Sequence, residues 1–108
     1  MVNWSSFFFL VIPKRPARDL FDADEDSVAA VARMVQRVAV LLDSIFVPEG
    51  ITILQSNKAA AGQDVFYYHV HVIPRLQDDK VSISYQVVEG LDLADVARRI
   101  RAADTNVI

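Results

Sequence analysis

The sequence contains no cysteine, which excludes disulfide bonds and thiolate metal ligands and is compatible with a reducing cytoplasm. Glycine and proline are also scarce, at 3 and 4 of 108 residues, while 53% of the residues are hydrophobic and 23% are charged. This composition excludes a disordered or low-complexity chain. The net charge of −3 argues against a general nucleic-acid binder. We therefore expect one compact cytoplasmic domain that spans residues 1–108 and binds no nucleic acid polymer.

An apolar run near the start of the chain, residues 7–12, is far shorter than the ~20 residues that a membrane helix needs. It has no preceding basic region and no small-residue cleavage site, so it is not typical of a signal peptide. The run predicts a buried strand, which Pro13 ends because proline donates no ladder hydrogen bond. The basic cluster of Lys14, Arg15 and Arg18 that follows is typical of a solvated loop. We expect no membrane partner.

Acidic residues at positions 22–26 and the following Ser27 predict the start of a long helix, because such side chains accept hydrogen bonds from the free amides of a first turn. Pro48 and Gly50 predict its end. Between these signals, apolar residues recur at spacings of three and four, as on a helix that packs against a sheet. The members of this stripe are Val28, Val31, Ala32, Val35, Val38, Ala39, Leu42, Ile45 and Phe46.

A second apolar strip, formed by Ala30, Met34 and Leu41, flanks the first one. Either the core face of the helix is broad, or this strip contacts a second subunit, because a monomer would leave it partly exposed to water. The pattern alone leaves both interpretations open.

The rest of the chain predicts further strands and a terminal helix. Residues 51–55 form a strand, residues 56–62 a loop of small residues, and residues 65–73 a strand that pairs antiparallel with the first. A turn and another strand at residues 81–88 follow. After Gly90, the spacing of apolar residues predicts an amphipathic helix whose solvent-exposed face carries arginines. Its apolar residues are Leu91, Ala94, Val96, Ala97 and Ile100, and its arginines are Arg98, Arg99 and Arg101.

The chain has two histidines, His69 and His71, which point to the same side of the predicted strand because strand side chains alternate between faces. Val65, Tyr67 and Ile73 share that side. The opposite side is apolar and predicts packing against the core. It comprises Phe66, Tyr68, Val70 and Val72.

Two kinds of chemistry fit paired imidazoles on a strand. Two histidines at alternate positions form half of a zinc or iron site. However, the chain has no other histidine, and Asp64 and Asp78 have no ligand spacing, so we expect no metal and no other cofactor. The alternative is nucleophilic catalysis at phosphorus, in which an imidazole nitrogen attacks, a phosphoramidate forms and water resolves it.

A phosphoryl-transfer site also needs a proton donor for the leaving group and hydrogen-bond donors for the phosphate oxygens. His69 and His71 supply a nucleophile and a proton donor. The loop over residues 57–63 supplies main-chain amides, because its small residues let an anion approach, and Asn57 and Gln63 add side-chain donors. Asn57 by itself is equally typical of turn chemistry.

Residues 57–75 resemble the signature of the histidine triad (HIT) family of nucleotide hydrolases and transferases. In that signature, Asn, small residues and Gly-Gln precede a His-x-His-x-His pattern and two apolar residues. Residues 10–14 also resemble the family's strand ahead of its long helix, and the resemblance covers roughly residues 8–103. The matching residues of the signature are Asn57, Gly62, Gln63, His69 and His71.

The resemblance implies an α+β domain with an antiparallel sheet, one long helix and a carboxy-terminal helix, assembled as a homodimer. It implies cleavage at the α-phosphate of a nucleotide conjugate, such as a nucleoside phosphoramidate, a dinucleoside polyphosphate or an adenylylated molecule. By the same resemblance, His69 is the nucleophile and His71 contacts the phosphate region. The residues implied to line the phosphate site are Asn57, Gly62, Gln63 and Asp64.

The chain also departs from the family pattern. Tyr67 replaces the first histidine, and a tyrosine can hydrogen-bond an imidazole or a carbonyl but does not titrate near neutrality. Phe8 stands where relatives carry a further histidine, and the strands that relatives carry before it have no match. Two hypotheses follow: an active hydrolase that uses His69, His71 and Tyr67, or a degenerate HIT domain that binds nucleotide or only dimerises. In the second case Tyr67 is simply a packing aromatic.

Overall fold

The computed structural model describes residues 8–79, 90 and 92–103. Within these residues, antiparallel strands form one sheet beside a long helix, with a shorter helix after it, which confirms the predicted α+β class. The predicted strand at residues 81–88, and Leu91, lie outside the described residues. The elements are β1 (Phe9–Val11), α1 (Glu25–Phe46), β2 (Gly50–Leu54), a 3₁₀ turn (Ala59–Ala61), β3 (Val70–Arg75) and α2 (Leu93–Ala103).

The strand order is β1-β3-β2, so β3 lies between the other two described strands. Both neighbours pair with β3 antiparallel, which confirms the predicted pairing of β2 with the histidine strand. His71 lies opposite Leu10 of β1 and Leu54 of β2. Because paired residues share a face of the sheet, an aliphatic side chain flanks His71 on each side.

The long helix begins and ends where the sequence predicts. Asp24 is its N-cap, and its carboxylate accepts a hydrogen bond of 2.7 Å from the Ser27 amide. That bond holds the pKa of Asp24 below its usual value. At the other end Val47 adopts a left-handed conformation, and its amide donates to the Asp43 carbonyl at 3.1 Å, one residue before Pro48.

The core lies between α1 and one face of the sheet, and Val72 of β3 is fully buried there. The prediction that Ala32 and Ile45 belong to the packed stripe of α1 is wrong, because both are exposed. Ile45 is 65% exposed. Three residues of helix place Ile45 about 60° around the axis from buried Leu42, so it points past the sheet. The buried core residues are Val11, Ala17, Val31, Leu42, Tyr68, Val70 and Val72.

The second apolar strip of the helix is not part of this core. Ala30, Met34 and Leu41 are exposed, and Ile45 extends the strip toward the end of α1. The broad-core interpretation is therefore wrong for a single chain. The strip is an apolar surface along one side of the helix.

The prediction that residues 7–12 form a buried strand is only partly correct. Of the described residues in this run, Val11 is buried, whereas Phe8, Leu10 and Ile12 are exposed. The pairing of Leu10 with His71 places alternate residues of β1 on the sheet face away from α1. That face receives no cover from the helix.

The histidine strand is shifted along the chain relative to residues 65–73. Val65 and Phe66 are exposed and precede β3, because the Tyr68 amide bonds the Ala17 carbonyl at 2.7 Å instead of a strand partner. The strand then continues through Pro74. At Pro74 the described neighbour is β2 alone, since β1 pairs only with residues 70–72, and a proline is tolerated where one side carries no ladder.

Helix α2 occupies the predicted position after Gly90, but none of its described residues is buried. Its apolar residues Leu93, Val96 and Ile100 are exposed. Neither α1 nor α2, the helices of the described ranges, has the length and apolar character that spanning a bilayer requires.

Candidate functional site

The two histidines meet at the amino-terminal end of β3, as the alternating pattern predicts. Their ring centroids are 4.9 Å apart, and the ring planes are inclined at 66° in an edge-on contact. His69 immediately precedes the strand and is 8% exposed, whereas His71 lies on the strand and is half-buried. The close contact means that the charge on one ring affects the other directly.

A main-chain contact fixes the orientation of His69. Its Nδ1 lies 2.6 Å from the carbonyl oxygen of Tyr67. A carbonyl can only accept, so Nδ1 carries the hydrogen and donates, and in the neutral ring Nε2 holds the free lone pair. Within the described ranges no protein group forms a hydrogen bond with Nε2. The basic nitrogen of this buried ring is therefore not committed to another protein group.

Tyr67 acts on His69 through its backbone. Its hydroxyl donates to the Pro13 carbonyl at 3.1 Å, away from the imidazole, and its carbonyl accepts from His69. The side chain thus anchors the segment before β3 to the loop after β1. The orientation of His69 therefore depends on the Tyr67 carbonyl and not on the Tyr67 hydroxyl.

His71 has a different environment. The Phe8 ring lies 5.5 Å from it, centroid to centroid, and is tilted by 45°. Burial lowers the pKa of His71, the neighbouring His69 lowers it further, and the Asp64 carboxylate raises it. The first two effects prevail, so the ring is more readily neutral than a free histidine.

Gln63 joins three backbone segments and is 4% exposed. Its Nε2 donates to the carbonyls of Arg18 at 2.8 Å and Val65 at 3.1 Å, and its Oε1 accepts from the Lys58 amide at 2.6 Å. Gly62, just before it, has a φ of 97°, which favours glycine. The side chain of Gln63 therefore braces the site, and its predicted contact with phosphate stays a prediction.

Asn57 is also engaged within the protein. Its Oδ1 accepts from the Leu20 amide at 2.9 Å and from Gln55 Nε2 at 2.6 Å, while its Nδ2 donates to Gln55 Oε1 at 3.1 Å. These bonds tie Asn57 to a distant segment and to the side chain of Gln55, and they are not the local turn chemistry that the sequence left open. Its role toward phosphate also stays a prediction, as does that of exposed Asp64, whose charge acts on His71.

Sequence reasoning missed the segment that holds this loop in place, residues 13–20. Carbonyls of Pro13, Ala17 and Arg18 accept from Tyr67, Tyr68 and Gln63 respectively. Main-chain carbonyls occur in every residue and so give no sequence signal. The one side-chain signal was Asp19, which is buried and accepts from the Asp22 amide at 3.0 Å, as expected for a turn.

Comparison with known proteins places these features in one family. The family model described as "HIT domain" matches residues 4–78. An uncharacterized 16.1 kDa HIT-like protein of Mycoplasma pneumoniae is 37% identical over 68 residues, which are 63% of this chain and 47% of that protein. The chain thus spans about half the length of the curated relatives it matches.

Solved structures agree with the sequence comparison. A HIT family protein from Bacillus anthracis superposes with a TM-score of 0.80 at 29% identity, over 88% of this chain and 71% of that one. A Hit-like protein involved in cell-cycle regulation from Bartonella henselae gives a TM-score of 0.64 at 36% identity, over 90% and 71% of the two chains. Family match, fold and histidine strand agree, and the chain belongs to the HIT domain family.

Proposed function

We propose that this chain binds a nucleotide conjugate and cleaves or transfers it at the α-phosphate, with His69 Nε2 as the nucleophile. HIT family proteins are nucleotide-binding hydrolases or transferases. The observation that carries the proposal is the 2.6 Å contact of His69 Nδ1 with the Tyr67 carbonyl. This contact fixes the tautomer in which Nε2 carries the free lone pair, as nucleophilic attack requires.

The reaction has two steps in this proposal. Nε2 of His69 attacks the α-phosphorus, the N–P bond forms, and the bond from phosphorus to the leaving atom breaks. The leaving atom takes a proton from His71, which the bound phosphate anion helps to protonate despite the lowered pKa of the free site. Water then attacks phosphorus and gives its proton to His71, and the N–P bond breaks, which releases the nucleoside monophosphate and neutral His69.

The engaged amide of Gln63 favours a second candidate, a HIT domain that binds nucleotide without turnover. Both hydrogens of Gln63 Nε2 already bond protein carbonyls, so Gln63 offers no donor to a phosphate without rearrangement. In the active proposal, main-chain amides and His71 hold the phosphate oxygens.

Incubation with adenosine 5′-phosphoramidate, with AMP measured by chromatography, tests the proposal. An active protein releases AMP in proportion to enzyme and time. Saturable binding of AMP without AMP release supports the second candidate, and neither binding nor release contradicts both.

We expect changes at Tyr67 to have small effects on turnover, because the backbone carbonyl orients His69 whatever the side chain. Tyr67→Phe loses one hydrogen bond to Pro13 and should lower the free energy of unfolding by about 1 kcal/mol. Turnover of the phosphoramidate should change less than about threefold in both Tyr67→Phe and Tyr67→His. A rise of more than about tenfold in Tyr67→His would identify the missing imidazole, and not the carbonyl, as what limits the reaction.

The homodimer is also part of the proposal. The exposed strip of Ala30, Met34 and Leu41, extended by Ile45, is an apolar surface of the kind that subunits bury. We expect light scattering to give twice the chain mass for the parent protein. Met34→Glu should shift that mass toward one chain, because a buried unpaired charge is costly.

The matched control for this strip is Gln36→Glu, which adds the same charge at an exposed position on the other side of α1. It should leave the mass unchanged. A parent protein that is monomeric at micromolar concentration contradicts the dimer.

A further inference from the structure

Lys58 holds an unusual backbone conformation in the loop that precedes the histidine strand. Its φ is 70° and its ψ is 158°, a region that is essentially restricted to glycine. Among the non-glycine residues in the described ranges, Val47 also has a positive φ, but its ψ of 54° places it in the ordinary left-handed region. Lys58 is therefore the strained position of this loop.

Hydrogen bonds on both sides of Lys58 maintain the strain. Its amide donates to Gln63 Oε1 at 2.6 Å, and its carbonyl accepts from the amides of Ala61 at 3.1 Å and Gln63 at 3.2 Å. None of these bonds uses the lysine side chain, so glycine would make the same bonds with less strain. A non-glycine residue in a backbone conformation that favours glycine costs stability. Near a candidate site, a function of its side chain best explains why the residue is present.

The ammonium group of Lys58 is held only weakly. It lies 5.0 Å from the centre of the Phe21 ring, and Phe21 is 75% exposed. A cation over an exposed ring gains little, since both groups remain in water. Lys58 forms no ion pair with any carboxylate in the described part of the chain. Its charge can therefore leave the ring for an anion without breaking a stronger contact.

The loop connects this cation to the histidine pair. Gln63 binds the Lys58 amide at one end, and Asp64, the next residue, acts electrostatically on His71 at the other. The Asp64 carboxylate disfavours negative charge beyond the α-phosphate on its side of His71. The Lys58 ammonium, earlier in the same loop, attracts such charge instead.

We propose that the Lys58 ammonium binds negative charge on the leaving group, so that the protein prefers nucleotide conjugates with further phosphates beyond the α-phosphate over conjugates with an uncharged amine. This inference rests on the proposed function and specifies its substrate class. Lys58 then acts on specificity, whereas His69 acts on bond formation.

The test compares kcat/KM for diadenosine tetraphosphate, whose leaving group is a polyphosphate, with that for adenosine 5′-phosphoramidate. Lys58→Gln should lower the ratio of the two values by about fivefold to tenfold, because it keeps the side-chain length and removes the charge. Lys58→Arg should retain the ratio within about threefold. Arg33→Gln, which removes one positive charge from an exposed position of α1, should leave the ratio unchanged.

Lys58→Gly separates strain from recognition. It should lower the ratio as Lys58→Gln does, yet melt no lower than the parent protein, because glycine adopts this φ and ψ without strain. An unchanged ratio in Lys58→Gln overturns the inference, and so does an equal loss in Lys58→Arg or a parent protein that cleaves only the phosphoramidate. A parent protein that cleaves neither substrate contradicts the proposed function itself, and this inference with it.

Discussion

Replacing His69 by alanine should abolish AMP release from adenosine 5′-phosphoramidate, with a loss of about 10³-fold or more in kcat. The reason is that a backbone acceptor, the Tyr67 carbonyl at 2.6 Å, fixes the tautomer in which His69 Nε2 carries the lone pair. Water cannot replace it, because a two-step reaction needs a group that bonds to phosphorus and then leaves. The measurement is the initial rate of AMP formation at saturating substrate.

His71→Ala is the comparison for this prediction, since it removes the neighbouring imidazole and keeps the nucleophile. It should slow the reaction by about 10- to 100-fold, the effect expected for a proton donor and phosphate contact. A His69→Ala protein that retains the parent rate would contradict the assignment. Equal losses in both variants would show that the pair acts only as a unit.

Gln63→Leu should lower the free energy of unfolding by about 2–4 kcal/mol, the largest effect on stability expected from a polar residue of this site. Gln63 is 4% exposed and bonds two carbonyls and one amide. Leucine has a similar size but leaves these backbone groups without partners. Urea denaturation followed by circular dichroism gives the difference.

The control for Gln63 is Gln77→Leu at an exposed position near the end of the described sheet, which should change stability by less than about 0.5 kcal/mol. A Gln63→Leu protein as stable as the parent would mean that the three bonds contribute nothing net. Because Gln63 links the Lys58 amide to the Arg18 carbonyl, we also expect its loss to weaken nucleotide binding.

The periodicity of apolar residues and the helix-capping residues predicted those parts of the fold that depend on neighbouring residues in the chain. Asp24 and Ser27 placed the start of α1 correctly because one side chain caps one amide. The separation of two residues put His69 and His71 on one face because strand side chains alternate. These features depend on near neighbours in the chain, so the sequence carries them directly.

Hydrophobic periodicity in the sequence could not predict the contacts between segments that are far apart in the chain. Residues 65–68 alternate between apolar faces as in a strand, yet β3 begins only at Val70. The Tyr68 amide instead donates to the carbonyl of Ala17, which lies far earlier in the chain. Ile45 fits a helical spacing but faces away from the sheet, because the axis of α1 relative to the strands decides which side is covered. The bracing role of Gln63 was hidden for the same reason, since its partners include the Arg18 carbonyl.

The most direct test of His69 as the nucleophile is to look for the covalent intermediate on its ring. Parent protein is mixed with adenosine 5′-phosphoramidate, quenched in base because the N–P bond to imidazole is labile in acid, and analysed by intact mass and peptide mapping. We expect one added adenylyl group on the peptide that contains His69, present in His71→Ala and absent from His69→Ala. Turnover without any adduct, or an adduct that persists in His69→Ala, would contradict the role of His69 as nucleophile.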